Sequence, residues 1–504
     1  MSKKPNEGIA EAIMRDVPRG IVTRFLKDQT PPQARWMDPA QILAHEALRY
    51  DPKNPAGKIL VGALGDTLIG IEDDRHLLTV AGSRAGKSVT LIGNLLFYDG
   101  SVLCTDPKGE LARITARRRA KLGQRVMVLD PFDVSGKETA GLRGAYNPMR
   151  RLSLDNLYII EDAAQIADGL VAETGQEKDP HWNEEARGLI AGFILYVAAC
   201  DDVPEEKKHL CTVRELLDKA LAVAPSEDGK GKALVLPRKV FAATARLAKA
   251  GHVDVAAAIE GDIGGFYDKP EEERGSVLST ARRHTRFLTY RAMKAVLTGH
   301  DIDLEDLKRA PKGTSVYLCL PATRMGMCNR WLRIVINQLI DAMERETKTT
   351  PSPVLVALDE FPVLGFMRQL QDAAGQIASF GVKLWVIMQD WGQGKALYRD
   401  RFESFAANAG IFQAFGNVDV TTTEYISRRL GKTQVDVSRQ GEAAQNQREQ
   451  GMSGRTVGTE MYDLLTPDEI GRLFARSDPH KRQLIMWAGR YPMVLERVEY
   501  FTMQ

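Results

Sequence analysis

The fold is decided by the stretch HLLTVAGSRAGKS, from His76 to Ser88. An apolar β-prone run, HLLTV, leads into AGSRAGKS, and an apolar helical pattern, VTLIGNLLFY, begins at Val89. The loop between them has small residues that let backbone N–H groups wrap phosphates, together with a lysine for the β- and γ-phosphates and a hydroxyl for Mg²⁺. A loop that opens a helix also directs the helix N-terminus at the anion. The sequence therefore predicts a P-loop that binds a nucleoside triphosphate with Mg²⁺.

The predicted nucleotide-binding residues are Ala81, Gly82, Ser83, Arg84, Ala85, Gly86, Lys87, Ser88 and Val89. The strict phosphate-loop pattern has glycine at its first position, where this chain has Ala81. The alternative interpretation is a chance turn of small residues before a helix.

Two further strand-like runs end in polar side chains. VLVALDEF ends in Asp359 and Glu360, and KLWVIMQD carries Gln389 near its end. Mg²⁺ and an attacking water must be held at the carboxyl end of such strands. We expect Asp359 to bind Mg²⁺ through water, with Ser88 as the second metal residue, and Glu360 to act as general base. Gln389 is expected to sense the γ-phosphate. The alternatives are a surface Asp-Glu pair and a polar loop.

Outward from the loop, short β-prone runs alternate with helical patterns, which indicates a parallel sheet covered on both faces. The runs are HLLTVAG, SVLCTDP, RVMVLDPF, TSVYLCLP, VLVALDEF, VKLWVIMQD and AGIFQAFG. Residues 152–290 lose these runs and show helical periodicity, which predicts an all-helical inserted domain. We therefore predict an arm and linker over 1–57, a nucleotide-binding motor domain over 58–151 and 291–504, and the insertion between its two parts.

Three smaller predictions complete the organisation of the chain. A β-hairpin is expected around Gly65-Asp66, because two β-prone runs flank a turn pair. The polar stretch 438–458 is expected to be a mobile loop. The last apolar runs, within residues 481–501, are expected to be two more strands.

Length and composition exclude several classes of protein. A chain of 504 residues is too long to fold around one simple hydrophobic core. Its net charge of +2 gives the protein no overall positive field, so any surface that binds nucleic acid must be a local one. The five cysteines contain no CxxC pair, which fits a reduced cytoplasmic protein without a cysteine-built metal site. The most apolar run, GLIAGFILYVAAC at 188–200, falls short of the roughly 20 residues that a bilayer needs. The sequence thus predicts no transmembrane helix.

Taken in order, the motifs resemble those of the TraG/TraD-like coupling ATPases of conjugative and type IV secretion systems, within the HerA–FtsK group of ring-forming motors. The most specific pieces are DPKGE at 106–110 and DEFPVLG at 359–365. The others are AGSRAGKS, VMVLDPF, AYNPM, HWNEEAR and YDLLTPDEIGRL. The resemblance covers about residues 58–500.

The resemblance implies a RecA-like motor domain, a homo-hexamer with ATP sites between subunits, and a central channel for DNA. The DNA would be single-stranded and bound to a relaxase, and it would stimulate ATP hydrolysis on its way to a type IV secretion channel. An arginine from the neighbouring subunit should complete each site. The candidates are Arg324, Arg330 and Arg333, and we take Arg333 as the catalytic one. In the RRHTR stretch, Arg282, Arg283 and Arg286 could contact phosphates or form a solvated helix face.

Members of this family usually begin with a pair of membrane-spanning helices, which this sequence does not show. We therefore expect a cytoplasmic protein that a partner recruits to the inner membrane. Two alternative functions stay open: an ATP-dependent docking receptor for secreted protein effectors, and a cytosolic DNA motor of a mobile-element or defence system.

Overall fold

The computed structural model describes residues 33–171, 180–225, 232–440 and 455–503. The first part of the predicted arm and the middle of the predicted mobile loop lie outside these ranges. The described strands are β1 Ile59–Leu64, β2 Thr67–Ile71, β3 His76–Ala81, β4 Val102–Asp106, β5 Arg125–Leu129, β6 Val223–Pro225, β7 Lys232–Leu234, β8 Thr314–Cys319, β9 Val354–Leu358, β10 Val382–Met388, β11 Ala409–Phe415, β12 Lys432–Gln440, β13 Arg455–Asp463, β14 Arg482–Trp487 and β15 Met493–Glu496.

Eleven of the described strands form one sheet, in the order β2-β1-β15-β14-β11-β3-β10-β9-β4-β8-β5. The strands from β11 to β5 are parallel, which confirms the predicted α/β parallel sheet. The two predicted C-terminal strands, β14 and β15, are also present, and they pair antiparallel with the N-terminal hairpin and with β11. Within the parallel part, Val386 of β10 lies opposite both Leu78 of β3 and Leu358 of β9.

The α-helices lie mainly between the parallel strands and in one long segment after β5. They are α1 Pro39–Ala44, α2 Lys87–Phe97, α3 Glu110–Lys121, α4 Ile159–Leu170, α5 His181–Ala199, α6 Leu210–Lys219, α7 Val235–Lys249, α8 Val253–Ile259, α9 Gly265–Asp268, α10 Glu271–His284, α11 Arg291–Leu297, α12 Asp306–Arg309, α13 Ala322–Arg345, α14 Arg368–Ala373, α15 Trp391–Tyr398, α16 Phe402–Ala407, α17 Val420–Leu430 and α18 Pro467–Leu473.

Both faces of the sheet are buried, and this is why its strands read as continuous apolar runs. In β9, Val354, Val356 and Leu358 belong to one core cluster, whereas Leu355 and Ala357 belong to the other. Helices α2 and α3 cover the second face, and α4, α5 and α13 cover the first. The carboxyl ends of the parallel strands are left as an edge between these two layers.

A chain of hydrogen bonds crosses the interior of the sheet. Trp385 Nε1 donates to Thr79 Oγ1 (2.8 Å), and that hydroxyl donates to Gln413 Oε1 (2.8 Å). Gln413 Nε2 donates to Gln483 Oε1 (2.6 Å), whose amide donates to the Val61 carbonyl (2.8 Å). Because buried polar groups need partners, a slip of any one strand would break this chain. It therefore favours one register for β10, β3, β11 and β14, and its last bond reaches β1 beyond β15.

The hairpin predicted around Gly65-Asp66 is confirmed. Leu64 of β1 lies opposite Thr67 of β2, which leaves a two-residue turn. Gly65 has φ +58°, the left-handed conformation that such a turn favours.

The predicted all-helical segment 152–290 needs a correction. Val223 in β6 lies opposite Leu234 in β7, so a small antiparallel pair interrupts the helices. Strands of three residues are too short for periodicity to reveal. The helices also continue beyond residue 290 through α11 and α12, and the sheet resumes only at Thr314. The proposed division into arm, motor domain and insertion stays a prediction.

The prediction of a mobile loop over 438–458 is wrong at both ends of that stretch. β12 and β13 pair over nine residues each, from Lys432 opposite Asp463 to Gln440 opposite Arg455. Polar composition concealed a strand pattern in which β-branched residues recur. Residues 441–454 lie outside the described ranges.

The described part of the predicted arm packs against the rest of the protein. Ile42 and Leu48 are buried in the same core cluster as Ile69 of β2. The Ala34 N–H donates to the Lys432 carbonyl (2.8 Å). From residue 33 onward, this segment is therefore part of the fold rather than a free linker.

Candidate nucleotide site

The predicted phosphate loop leaves β3 after Ala81 and enters α2 at Lys87. The Gly82 N–H donates to the Phe415 carbonyl (3.1 Å), and the Ala85 N–H donates back to the Gly82 carbonyl (3.2 Å). Gly86 has φ +106°, a conformation open mainly to glycine. The first N–H groups of α2 have no carbonyl partner within the helix, so they are available to an anion.

The departure at Ala81 has a structural explanation. Ala81 is the last residue of β3, and it forms a small buried apolar cluster with Ala85 and Phe415. Because its backbone is that of an ordinary strand, a side chain is tolerated there. The glycine that the loop needs is the next one: a Cβ on Gly82 would lie 1.9 Å from the Gly416 carbonyl oxygen.

Lys87 and Glu360 face each other across this edge of the sheet. Lys87 Nζ donates to the Ala81 carbonyl (3.1 Å) and lies 3.9 Å from Glu360 Oε1. Burial lowers the pKa of Lys87, and the charges of Glu360 and Asp359 act in the opposite direction. The lysine of the loop and the acidic pair after β9 thus lie together, as the sequence motifs require.

Gln389 also reaches this group. Its Nε2 donates to both carboxylate oxygens of Glu360, at 3.1 and 3.2 Å. The contact follows from the sheet order, because β10, which precedes Gln389, lies between β3 and β9. Glu360 itself has φ +57°, a left-handed conformation that is uncommon for a non-glycine residue. Its carboxylate therefore lies between a lysine and an amide, on a backbone turned sharply at the strand end.

Asp359 is the acid whose ionisation the site opposes most. Burial raises its pKa to about 7, and the neighbouring charges of Glu360 and Asp106 add to the rise. The Thr105 hydroxyl donates to the Asp359 carbonyl (2.8 Å) and so ties β4 to the end of β9. A divalent cation would favour the charged form of such a carboxyl. Ser88 is half-buried in the first turn of α2, and a Mg²⁺ site shared by Ser88 and Asp359 stays a prediction.

Asp106 is a residue of this site to which the sequence motifs gave no role. It ends β4, the neighbour of β9, and its Oδ2 accepts from the Ala112 N–H (2.9 Å). Its Oδ1 is buried without a hydrogen-bond partner among the described residues, and burial raises its pKa to about 6. The signal was its position at the carboxyl end of a buried strand, inside the DPKGE motif.

The placement of Arg333 does not fit the role predicted for it. It is only 5% exposed, and its guanidinium donates to the carbonyls of Leu364 (3.0 Å), Phe366 (2.6 Å) and Gly169 (3.3 Å). An arginine held by three carbonyls of its own chain is not free to reach a neighbouring subunit. We correct the prediction accordingly: in this structure Arg333 braces the segment that follows Glu360.

The other predicted arginines are placed differently. Arg324 is exposed near the start of α13, so a role in a neighbouring site stays a prediction for it. Arg330 is half-buried, with Nη2 3.3 Å from His284 Nδ1, and burial lowers its pKa.

In the RRHTR stretch, Arg282 is bound to its own chain. It donates to the carbonyls of Leu217 (3.1 Å) and Asp218 (2.9 Å). Arg283 and Arg286 are exposed, and contact with phosphates stays a prediction for these two.

The fold and the site together define a RecA-like P-loop α/β protein. The chain belongs to the family described as type IV secretory system conjugative DNA transfer, whose model matches residues 32–504. It is 29% identical over 418 residues to the conjugal transfer protein TraG of Escherichia coli, covering 79% of this chain and 61% of that protein. It is 25% identical over 440 residues to the type IV secretion system-coupling protein VirD4 of Bartonella quintana (strain Toulouse), covering 84% of this chain and 63% of that protein. The chain thus spans about six-tenths of the length of these relatives.

The fold is also shared with solved structures. The conjugative coupling protein TrwBdeltaN70 in its unbound form matches with a TM-score of 0.62 at 15% identity, over 93% of this chain and 95% of that one. TrwB in complex with ADP and Mg²⁺ matches with a TM-score of 0.59 at 14% identity, over 94% and 96%. Within the described ranges, we find no helix with the length and apolar character that spanning a bilayer requires.

Proposed function

We propose that this chain binds ATP with Mg²⁺ at Ala81–Ser88 and hydrolyses it. The loop N–H groups and Lys87 would hold the phosphates, and Ser88 and Asp359 would hold Mg²⁺, which supplies charge neutralisation when bound. Glu360 would accept the proton of the attacking water. Gln389 would orient Glu360 through the contact already present between them and would respond to the γ-phosphate.

The observation that carries this proposal is the meeting of Lys87, Glu360 and Gln389 at one sheet edge. These residues come from three separate segments of the chain, and a surface Asp-Glu pair would not require them to meet. The adenine nucleotide and Mg²⁺ named for the TrwB complex support the same ligand class.

We further propose that hydrolysis drives DNA toward a type IV secretion channel, with this chain as the motor of a coupling protein. The family description and the names of the TraG and VirD4 relatives support this role. The DNA would be single-stranded and bound to a relaxase, and the working form would be a homo-hexamer that a partner holds at the inner membrane. A neighbouring arginine, with Arg324 as the exposed candidate, would complete each site.

The test is ATP hydrolysis by the purified chain, measured over a range of protein concentrations with and without single-stranded DNA. If sites are shared between subunits, specific activity should rise with protein concentration, and DNA should raise it further. The Arg324→Ala variant should lose this rise while still binding Mg-ATP as a single subunit. Specific activity that is independent of both concentration and DNA would contradict the DNA motor and would favour a receptor for protein effectors.

A further inference from the structure

Arg497, the residue after β15, contacts the phosphate loop from the antiparallel side of the sheet. Its Nη1 donates to the Ala85 carbonyl, and its Nε donates to the Lys481 carbonyl (3.1 Å). Its backbone N–H bonds the same Lys481 carbonyl (2.9 Å). The guanidinium carbon lies 5.1 Å from the centre of the Phe415 ring, on the strand next to β3. Both ends of the planar guanidinium fork are thus held, one by the loop and one by the turn before β14.

Among the residues that the structure describes, no acidic side chain forms an ion pair with Arg497. Asp478 and Glu499 are the acids whose charges act on it, and burial lowers its pKa by more than they raise it. Each of these acids is engaged elsewhere: Asp478 pairs with Arg482 (2.8 Å), and Glu499 pairs with Lys481. A half-buried cation therefore lies directly behind a loop that is shaped to hold an anion.

The contact with Ala85 also determines how the next peptide group points. In a planar trans peptide the carbonyl and the following N–H point in opposite directions. With the Ala85 carbonyl directed at Arg497, the Gly86 N–H must point away from Arg497. Gly86 can adopt this orientation because its φ of +106° is accessible to glycine. A P-loop needs such N–H groups turned toward the phosphates.

We propose that Arg497 is a positioning residue for nucleotide binding, which holds the Ala85–Gly86 peptide so that the Gly86 N–H is presented to the phosphates. It acts through the loop rather than by touching the reacting atoms. Because Arg497 is also bonded to Lys481, it links the conformation of the loop to the β14–β15 pair. This inference rests on the proposed nucleotide site at Ala81–Ser88.

The experiment compares Arg497→Met, which keeps much of the side-chain volume but loses the hydrogen bonds, with Arg497→Lys. The control is Arg490→Met, an exposed arginine in the connection between β14 and β15. Equilibrium binding of Mg-ADP is measured by titration calorimetry, together with KM and kcat for ATP and the thermal midpoint of each variant.

We expect Arg497→Met to weaken Mg-ADP binding and to raise KM by about ten-fold, because a hydrogen bond from a charged group is lost. The value of kcat at saturating ATP should fall much less, since the general base is untouched. Arg497→Lys should recover part of the affinity, because an ammonium can replace one of the two fork contacts. Arg490→Met should match the wild type.

Three results would overturn the proposal. The first is a folded Arg497→Met whose affinity for Mg-ADP lies within two-fold of that of the wild type. The second is an Arg497→Lys whose affinity for Mg-ADP equals that of the wild type, which would mean that only the positive charge matters. If Arg497→Met does not fold, Arg497→Lys is used instead, and the proposal requires that this variant folds and binds Mg-ADP more weakly than the wild type. Failure of the wild type to bind any Mg-nucleotide would overturn both this role and the proposed nucleotide site, whereas the first two results leave that site intact.

Discussion

At the scale of single residues, the site brings Lys87 close to Glu360 and, beside them, holds two acids whose ionisation burial opposes. Burial raises the pKa of Asp359 to about 7 and that of Asp106 to about 6, and these two acids lie at the carboxyl ends of the neighbouring strands β9 and β4. Near neutral pH the ligand-free site therefore carries less negative charge than its composition suggests. A bound divalent cation would favour the ionised carboxylates of Asp359 and Asp106, and these carboxylates would in turn stabilise the cation.

The raised pKa of Asp359 makes a prediction about stability. Between about pH 4 and pH 7 the folded state keeps a proton that the unfolded chain has lost, so stability falls as pH rises through this window. Asp359→Asn removes that loss. The free energy of unfolding of Asp359→Asn minus that of the ligand-free wild type should therefore be larger at pH 8 than at pH 5. The expected increase is about 1–2 kcal/mol after allowance for solvent screening. Denaturant titration at the two pH values measures it.

Asp66→Asn, at an exposed hairpin turn, is the control and should show no such growth. A gain from Asp359→Asn that is the same at both pH values would mean that Asp359 ionises normally in the folded protein.

The two adjacent acids after β9 should separate in function. Glu360→Gln removes the general base but preserves shape, so Mg-ATP binding should persist while hydrolysis falls by about 100-fold or more. Asp359→Ala should instead weaken the Mg²⁺ dependence of nucleotide binding. Nucleotide titrations with and without Mg²⁺, followed by single-turnover hydrolysis, distinguish the two. Equal effects of both changes on binding would refute this division of roles.

At the scale of elements, the phosphate loop depends on β11 as well as on β3. A Cβ on Gly82 would lie 1.9 Å from the Gly416 carbonyl oxygen, so the loop and the end of β11 are in backbone contact. Gly82→Ala should push the loop off this contact, lower stability by about 1–3 kcal/mol and weaken Mg-ATP binding. Thermal melts and nucleotide titration measure both effects.

The matched control for this change is Gly326→Ala on α13, where an added Cβ meets nothing within 4 Å. Because alanine is the better helix former, this variant should be as stable as the wild type or slightly more stable. Normal nucleotide affinity in Gly82→Ala would show that the loop does not rely on the β11 contact.

The predictions at this scale succeeded where the signal was local to one element. The continuous apolar run in VLVALDEF indicates a strand that is buried on both faces, and the acidic residues that end the run mark the carboxyl end of that strand. β12 and β13 were missed because charged and amide side chains concealed a period-two pattern. The strands β6 and β7 were missed because three residues carry no period.

At the scale of the whole molecule, the order of the strands decides which residues meet. The sequence places Gln389 and Glu360 about 30 residues apart, but only the position of β10 between β3 and β9 brings them into contact. Asp106 and Arg497 belong to the site for the same reason, and pairing between distant strands cannot be read from periodicity along the chain. The burial of Arg333 likewise depends on α13 packing beneath the segment after Glu360.

If ATP is hydrolysed at the loop Ala81–Ser88, hydrolysis must depend on Lys87, which the variant Lys87→Ala tests. Steady-state hydrolysis of Mg-ATP is measured for the wild type, for Lys87→Ala and for Lys121→Ala, an exposed lysine at the end of α3. We expect Lys87→Ala to keep the circular dichroism of the folded protein and to lose about 100-fold or more in hydrolysis, while Lys121→Ala is unchanged. A folded Lys87→Ala that retains most of the wild-type rate would show that this loop is not the site of hydrolysis.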